Sequence, residues 1–274
     1  AVEDCVEQAG ATADDLQPYT PEPAEDMDLT ADVIIVGGGG AGLASAITAL
    51  ENGASVILIE KMGFLGGNSI VAGGIYNAPD PEEQDYAEFP GSNALVEEIL
   101  AQEPVSDLHA EMLEIVKEEY AEYQASDKTL FDSPTFFALQ SWNGGDKIGD
   151  LAMMRIMCDN ALEGLEWMES MGMEFQPGVV LASGSLYPRT HKAVLPNGTG
   201  YFVAFENKLA EFDNYTELLD TTATGLIMDG DKVVGVNATG KDGNTVTLHA
   251  NNGVILATGG FAGNVEMRQE YCEG

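Results

Sequence analysis

Residues Ala31 to Glu60, ADVIIVGGGGAGLASAITALENGASVILIE, constrain the fold more than any other stretch. Asp32 to Val36 is a β-branched run of the length of one buried parallel strand. Gly37, Gly39 and Gly42 follow with G-x-G-x-x-G spacing inside a Gly37–Gly40 run. Leu43, Ile47 and Leu50 then recur at helical spacing, and the intervening alanines allow close packing on a sheet. Asn52-Gly53 ends the helix, and Ser55 to Ile59 is a second buried strand closed by Glu60. Gly37 permits the turn out of the strand, Gly39 lets a pyrophosphate approach the backbone, and Gly42 seats the helix. Gly38, Gly40 and Ala41 complete the loop, whose free amides and helix dipole face the phosphates. Glu60 is placed to accept from both ribose hydroxyls and disfavours a 2′-phosphate, hence NADP. The pattern predicts a dinucleotide site. An ordinary glycine-rich turn would leave Glu60 and the tetraglycine run unexplained.

The chain has 274 residues, of which 45% are hydrophobic, enough for one large or two modest domains. Its net charge is −35. No Lys or Arg precedes Lys61, and none lies between Lys61 and Lys117. Such a polyanion argues against nucleic acid and anionic membranes, and it disfavours dianionic substrates unless local cations invert the field. No apolar run is long enough to span a bilayer. Cys5, Cys158 and Cys272 form no C-x-x-C pair, which argues against an iron–sulfur or zinc site.

The opening AVEDCVEQAGA has no initiator Met or targeting signal, and Val2, Cys5, Val6 and Ala9 fall at helical spacing. Residues 1–11 read as the end of an upstream domain, and 12–30, rich in Pro, Asp and Glu, as an exposed linker. Localisation stays open between the cytoplasm and export.

After Glu60, KMGFLGGNSIVAGGIYNA carries two glycine pairs, Gly66-Gly67 and Gly73-Gly74, around Asn68 and Ser69. Glycine pairs allow close backbone approach, and Asn and Ser can hydrogen-bond a heterocycle. An enzyme using only NAD has no need of this second loop, whereas a flavin has a larger ring to thread past the second strand.

The order V-G-G-G-x-A-G-L, E-K, G-G-N-S, A-G-G resembles the fumarate reductase/succinate dehydrogenase flavoprotein superfamily, and within it the soluble fumarate and urocanate reductase branch. The resemblance implies an α/β, glutathione-reductase-like, Rossmann-type FAD fold with a β-meander and an inserted helical region. The FAD domain would comprise 31–78 and 213–274, and the inserted front region 79–212. Carried over, Ala41, Glu60, Lys61, Gly66, Gly67, Asn68, Ser69, Gly73 and Gly74 become FAD contacts. Asn68 stands where membrane-bound members carry a flavin-linked His, so the FAD is expected to be non-covalent. The opening helix resembles the end of a small FMN-binding domain, which implies an FMN outside this chain.

Within the front region, Ala94–Ala101 and Leu108–Tyr120 show helical apolar spacing with solvated acids opposite. The segment 127–142, with Phe131, Phe136, Phe137 and Leu139, reads as a core-forming connection. Gly149–Gly172 reads as one amphipathic helix whose methionines fill core. The polar loop SGSLYPRTHKAVLPNGTG holds Arg189 and His191, with Lys192 adjacent. Arg can clamp a carboxylate and His can move a proton, and the family has a partly matching R-x-H segment near the flavin. The alternative is a loop with salt bridges only.

Tyr201–Phe212 reads as a helix, followed by strands at 216–219, 221–228, 232–239 and 244–250 with Asp-Gly turns, a β-meander. T-A-T-G-L resembles the segment whose backbone meets the adenine, at Ala223. Gly253–Gly260 reads as a separate buried strand ending in A-T-G-G-F, which resembles the family's return to FAD at Thr258, Gly259 and Gly260.

The resemblance implies further chain beyond Gly274, carrying the substrate His, a Thr-Glu pair and the proton-donating Arg. The reading is a flavoprotein that delivers hydride to the activated C=C bond of an unsaturated carboxylate or carbonyl compound. Its electron donor is unspecified, and these 274 residues alone are expected to be inactive. The alternatives are a ketosteroid-dehydrogenase-like or aspartate-oxidase-like flavoenzyme, a non-catalytic flavin-binding fragment, and an NAD-linked dehydrogenase.

Overall fold

A computed structural model describes residues 24–83, 93–182 and 187–272. The upstream helix and most of the linker expected over 1–23 lie outside these residues. The chain runs β1 (Met27–Val36), α1 (Gly40–Glu51), β2 (Val56–Ile59), β3 (Ile75–Asn77), then α2 (Asn93–Leu100) and α3 (Asp107–Gln124). It continues through α4 (Pro134–Gly144), α5 (Leu151–Asp159), α6 (Ala161–Ser170), β4 (Thr190–Lys192) and α7 (Thr199–Leu209). It closes with β5 (Tyr215–Leu218), β6 (Thr222–Asp229), β7 (Lys232–Thr239), β8 (Thr245–Leu256) and α8 (Val265–Tyr271).

Six strands form one mixed sheet in the order β5-β2-β1-β8-β7-β6. β5, β2, β1 and β8 are parallel, and β8, β7 and β6 are antiparallel. The alternation along β1 divides its side chains between two cores. Ile35 packs with Leu43, Ile47, Leu58, Phe202 and Phe205 beneath α1 and α7. Ile34 and Val36 pack with Ile57, Ile59, Val236 and Leu248 on the other face. A third cluster lies among the inserted helices, around Met112, Val116, Phe136, Leu139, Trp142 and Tyr187.

Five local expectations are corrected. β1 begins at Met27, not Asp32, because Met27–Ala31 pairs with Val246–Ala250, so the expected linker ends earlier. The meander and the returning strand are one element: β8 pairs with β7 through its first half and with β1 along its length. Its second half is not buried, with Ile255 37% and Leu256 61% exposed. The helix expected over Gly149–Gly172 is two, α5 and α6, hinged at Asn160, which caps both and whose Nδ2 donates to Ile156 O at 2.7 Å. Met153 and Met157 of α5 are 65% and 53% exposed and so do not fill core. The 127–142 segment does form core, as helix α4, with Ser133 Oγ accepting from Phe136 N and Pro134 in the first turn.

Candidate dinucleotide site

The parallel pair β1–β2 brings the Gly37–Gly42 loop and Glu60 to one sheet edge. Gly37 has φ +113°, and a Cβ on it would lie 2.4 Å from Ala257 O. A Cβ on Gly42 would lie 1.9 Å from Gly37 O, so this glycine lets α1 start against the loop. Gly39 differs: the nearest atoms to a Cβ there are Ser69 Oγ at 3.9 Å and Gly66 O at 4.0 Å. Gly37 and Gly42 are packing glycines, and Gly39 presents open backbone. α1 has no N-cap side-chain bond and no acid in its first turn, so apart from Gly40 N, which lies 3.4 Å from Ser69 Oγ, its leading amides and dipole are left for an anion.

Glu60 is buried beside this loop. Its Oε2 accepts from Gly38 N at 2.8 Å and its Oε1 from Met62 N at 2.8 Å. Each oxygen keeps lone-pair capacity for a hydroxyl donor. The second glycine loop docks on the first. Gly66 N donates to Gly38 O at 2.8 Å, Gly66 and Gly67 have φ of +122° and +49°, and Ser69 Oγ lies 3.4 Å from Gly40 N. Asn68, Ser69, Gly73 and Lys61 are exposed along this face, as is Ala41. Gly74 is a packing glycine instead: its φ is +70°, and a Cβ would meet Asn197 O at 2.0 Å.

The other segments converge by sheet pairing. Ala257 N donates to Val36 O at 2.8 Å, which sets Ala257 and Thr258 against Gly37, with Gly259 and Gly260 following. No atom lies within 4 Å of a Cβ built on Gly259 or Gly260. Thr221 N donates to Glu60 O at 2.9 Å, and Ala223 follows two residues later in β6. Leu65, Asp220 and Thr221 had not been singled out in the sequence. Leu65 Cδ2 lies 2.5 Å from a Cβ on Gly38, and Asp220 N donates to Met62 O at 3.0 Å. Asp220 has φ 49°, a conformation that Asp tolerates, and residue type at a strand end was the only signal available.

Arg189 and His191 are both buried. The Arg189 guanidinium is buried, with Nε and Nη2 on the two oxygens of Asp132 at 2.9 and 2.7 Å and Nη1 on Gln140 Oε1 at 2.6 Å. The rings of Phe137, Tyr187 and Phe136 pack around it. His191 is buried beside Phe175, with Nε2 3.3 Å from Ala78 O and 3.9 Å from Asp80 Oδ2. In this geometry they are an internal ion pair and a packed ring. Part of their loop, residues 183–186, lies outside the described residues. Cys158 is buried in the helical region, where desolvation pushes its thiol up to about 12. Among the described residues no group of three or more His, Cys, Asp or Glu could hold a metal ion, and no helix is long and apolar enough to cross a membrane.

The geometry fits a flavin dinucleotide: an open Gly39, uncapped helix amides, a fixed acid for a ribose, and a second exposed loop extending past the first. The FAD binding domain family matches residues 32–100 and 124–273. The chain is 32% identical over 291 aligned positions to an NADH:acrylate oxidoreductase of Vibrio harveyi, covering 98% of this chain and 29% of that protein. It is 28% identical to a urocanate reductase of Eggerthella lenta, covering 99% of this chain and 39% of that one. The chain thus spans about a third of the length of these curated relatives. The fold matches a flavocytochrome c3 fumarate reductase in its open conformation, with TM-score 0.68, 24% identity, and 90% of this chain and 36% of that one covered. This chain belongs to the FAD binding domain family, and its fold is that of the fumarate reductase flavoproteins.

Proposed function

From membership of that family we propose that residues 31–78 and 213–272 hold FAD non-covalently, and that the whole protein reduces the activated C=C bond of an unsaturated carboxylate. The observation that carries this reading is the docking of the second glycine loop on the first through Gly66 N and Gly38 O. It places a second, glycine-rich loop with exposed Gly67, Asn68 and Ser69 directly beside the first. Gly39, Gly40 and Ala41 would take the pyrophosphate, Glu60 and Lys61 the adenosine ribose, and the Ala223 backbone the adenine. Gly66, Gly67, Asn68, Ser69 and Gly73 would line the ring end, with Thr258, Gly259 and Gly260 closing the return. Asn68 offers no nucleophile for a covalent flavin link, unlike a His there.

When bound, FAD supplies the hydride chemistry. This chain's residues bind and orient it: oriented amides neutralise phosphate charge, Glu60 fixes the ribose, and the packed glycines keep the two loops in register. The names of the relatives, an acrylate and a urocanate reductase, support an unsaturated acid as substrate. The inserted region, 79–212, would form the front of the site.

Purified protein should be yellow, and acid precipitation should release the flavin into the supernatant. Protein bleached by a low-potential donor should regain its absorbance on adding an enoate to the whole protein. Colourless protein that takes up no added FAD would overturn the cofactor assignment. Reoxidation by oxygen or quinone only, with turnover of a saturated substrate, would favour a dehydrogenase or oxidase instead.

A further inference from the structure

The 274-residue chain opposes an anionic substrate over most of its length, since 46 Asp and Glu stand against 11 Lys and Arg. One exposed cation lies beside the second glycine loop. In the antiparallel β3–β4 pair, Ile75 faces Lys192 and Tyr76 faces His191. Residues paired across strands share a face, and successive residues alternate. Tyr76 packs against the core and His191 is 3% exposed, so that pair marks the inner face. Ile75 is 44% exposed and Lys192 is exposed, so theirs is the outer face.

This outer face adjoins the second glycine loop. Gly74 O accepts from Ala193 N at 2.9 Å, which sets Ala193 against Gly74 and leaves Lys192 opposite Ile75, one residue beyond the glycine pair. Gly198 N donates to Ile70 O at 3.1 Å, which fixes the segment after β4 along the segment after Ser69. Val71 and Val194 are 72% and 49% exposed on the same segments. The cations nearest in sequence are committed or remote: Arg189 is held by Asp132, Lys208 by Glu51 and Glu211, and Lys61 follows Glu60 beside the first glycine loop. Lys192 has no ion pair or side-chain hydrogen bond among the described residues.

A lone cation flanked by exposed aliphatic side chains suits a small molecule that is apolar in body and anionic at one end. We propose that Lys192 is the specificity-determining cation that draws the carboxylate of an unsaturated acid to the ring end of the FAD site. The inference rests on the FAD reading above. It turns the charge on a single residue into the means by which a polyanionic protein accepts an anionic substrate.

The test uses the FAD-loaded chain, titrated with acrylate and with acrylamide, which match in shape and differ in charge. The readout is perturbation of the bound flavin's visible absorbance. The wild type should respond at about two- to fivefold lower acrylate than acrylamide, a ratio that shrinks as salt is raised. Lys192→Gln should bring the ratio to about one with the acrylamide response and FAD affinity unchanged, and Lys192→Arg should keep it. A ratio that survives in Lys192→Gln, or a wild type that does not prefer acrylate, overturns the inference while leaving the FAD reading intact. Failure to take up FAD shows as a missing flavin band and overturns both.

Discussion

Gly39→Ala and Gly42→Ala place the same methyl group three residues apart in one loop, and the structure gives them opposite consequences. Gly39 has φ −81° and ψ −175°, an extended conformation open to any L-residue, and its new Cβ would meet nothing closer than 3.9 Å. The apo protein should therefore tolerate it, changing stability by no more than about 0.5 kcal/mol. The methyl would stand where the pyrophosphate must pass. Forcing a methyl into a filled contact costs about 1–3 kcal/mol, which at 1.4 kcal/mol per factor of ten is a loss of about 5- to 150-fold in FAD affinity. In Gly42→Ala the Cβ would sit 1.9 Å from Gly37 O and 3.0 Å from Gly37 C, both backbone atoms. The α1 start must retreat by about 1 Å, at a cost of roughly 3 kcal/mol or more, with or without FAD. Urea unfolding of the apo proteins and FAD titration by flavin fluorescence separate the two effects. If Gly39→Ala bound FAD within twofold of the parent, the open backbone at Gly39 would not be the phosphate path. If it destabilised the apo protein as much as Gly42→Ala, the division into packing and binding glycines would be wrong.

Glu60→Ala leaves the Gly38 and Met62 amides without their acceptor and should lower apo stability by about 1–3 kcal/mol, whereas Glu60→Gln should hold stability closer to the parent and weaken FAD about tenfold; chemical denaturation and FAD titration distinguish them. Arg189→Met removes the cation paired with the buried Asp132 carboxylate and should cost about 3–5 kcal/mol, and the double variant with Asp132→Leu should recover much of it; recovery would not occur if Arg189 served substrate alone. His109 is buried against Trp142, accepts from Val105 N on Nδ1, and is held below its ordinary 6.5 by desolvation first and by Lys147 second. Between that lowered value and 6.5 the unfolded chain binds the proton and the folded chain does not, so this contribution to stability falls as pH drops through 6.5 and levels off below the folded value. Urea midpoints at pH 7.5 and 5, compared between the parent and His109→Gln, should show a smaller fall for the variant.

The strand-loop-helix-strand unit was legible from sequence because its determinants are local. Period and chain reversal fix β1, α1 and β2, and the residue at each glycine must satisfy its own backbone. The second loop was legible for the same reason, as glycine pairs with polar residues between them. What the sequence could not decide was partnership. Gly74 looked like its neighbour Gly73, yet one abuts Asn197 and the other faces open space. Arg189 and His191 had the right chemistry for a substrate, but a strand alternates its faces, and the pairing Tyr76–His191 turns that side of β4 inward and leaves Lys192 outward. β8 could not be read as one strand because β7 covers only its first half while β1 pairs along its length, an arrangement only the assembled sheet supplies. Local conformational preference thus determined the dinucleotide-binding unit and the type of cofactor. The direction in which each polar side chain points depends on contacts between residues a hundred or more positions apart, and that was settled only by the tertiary structure.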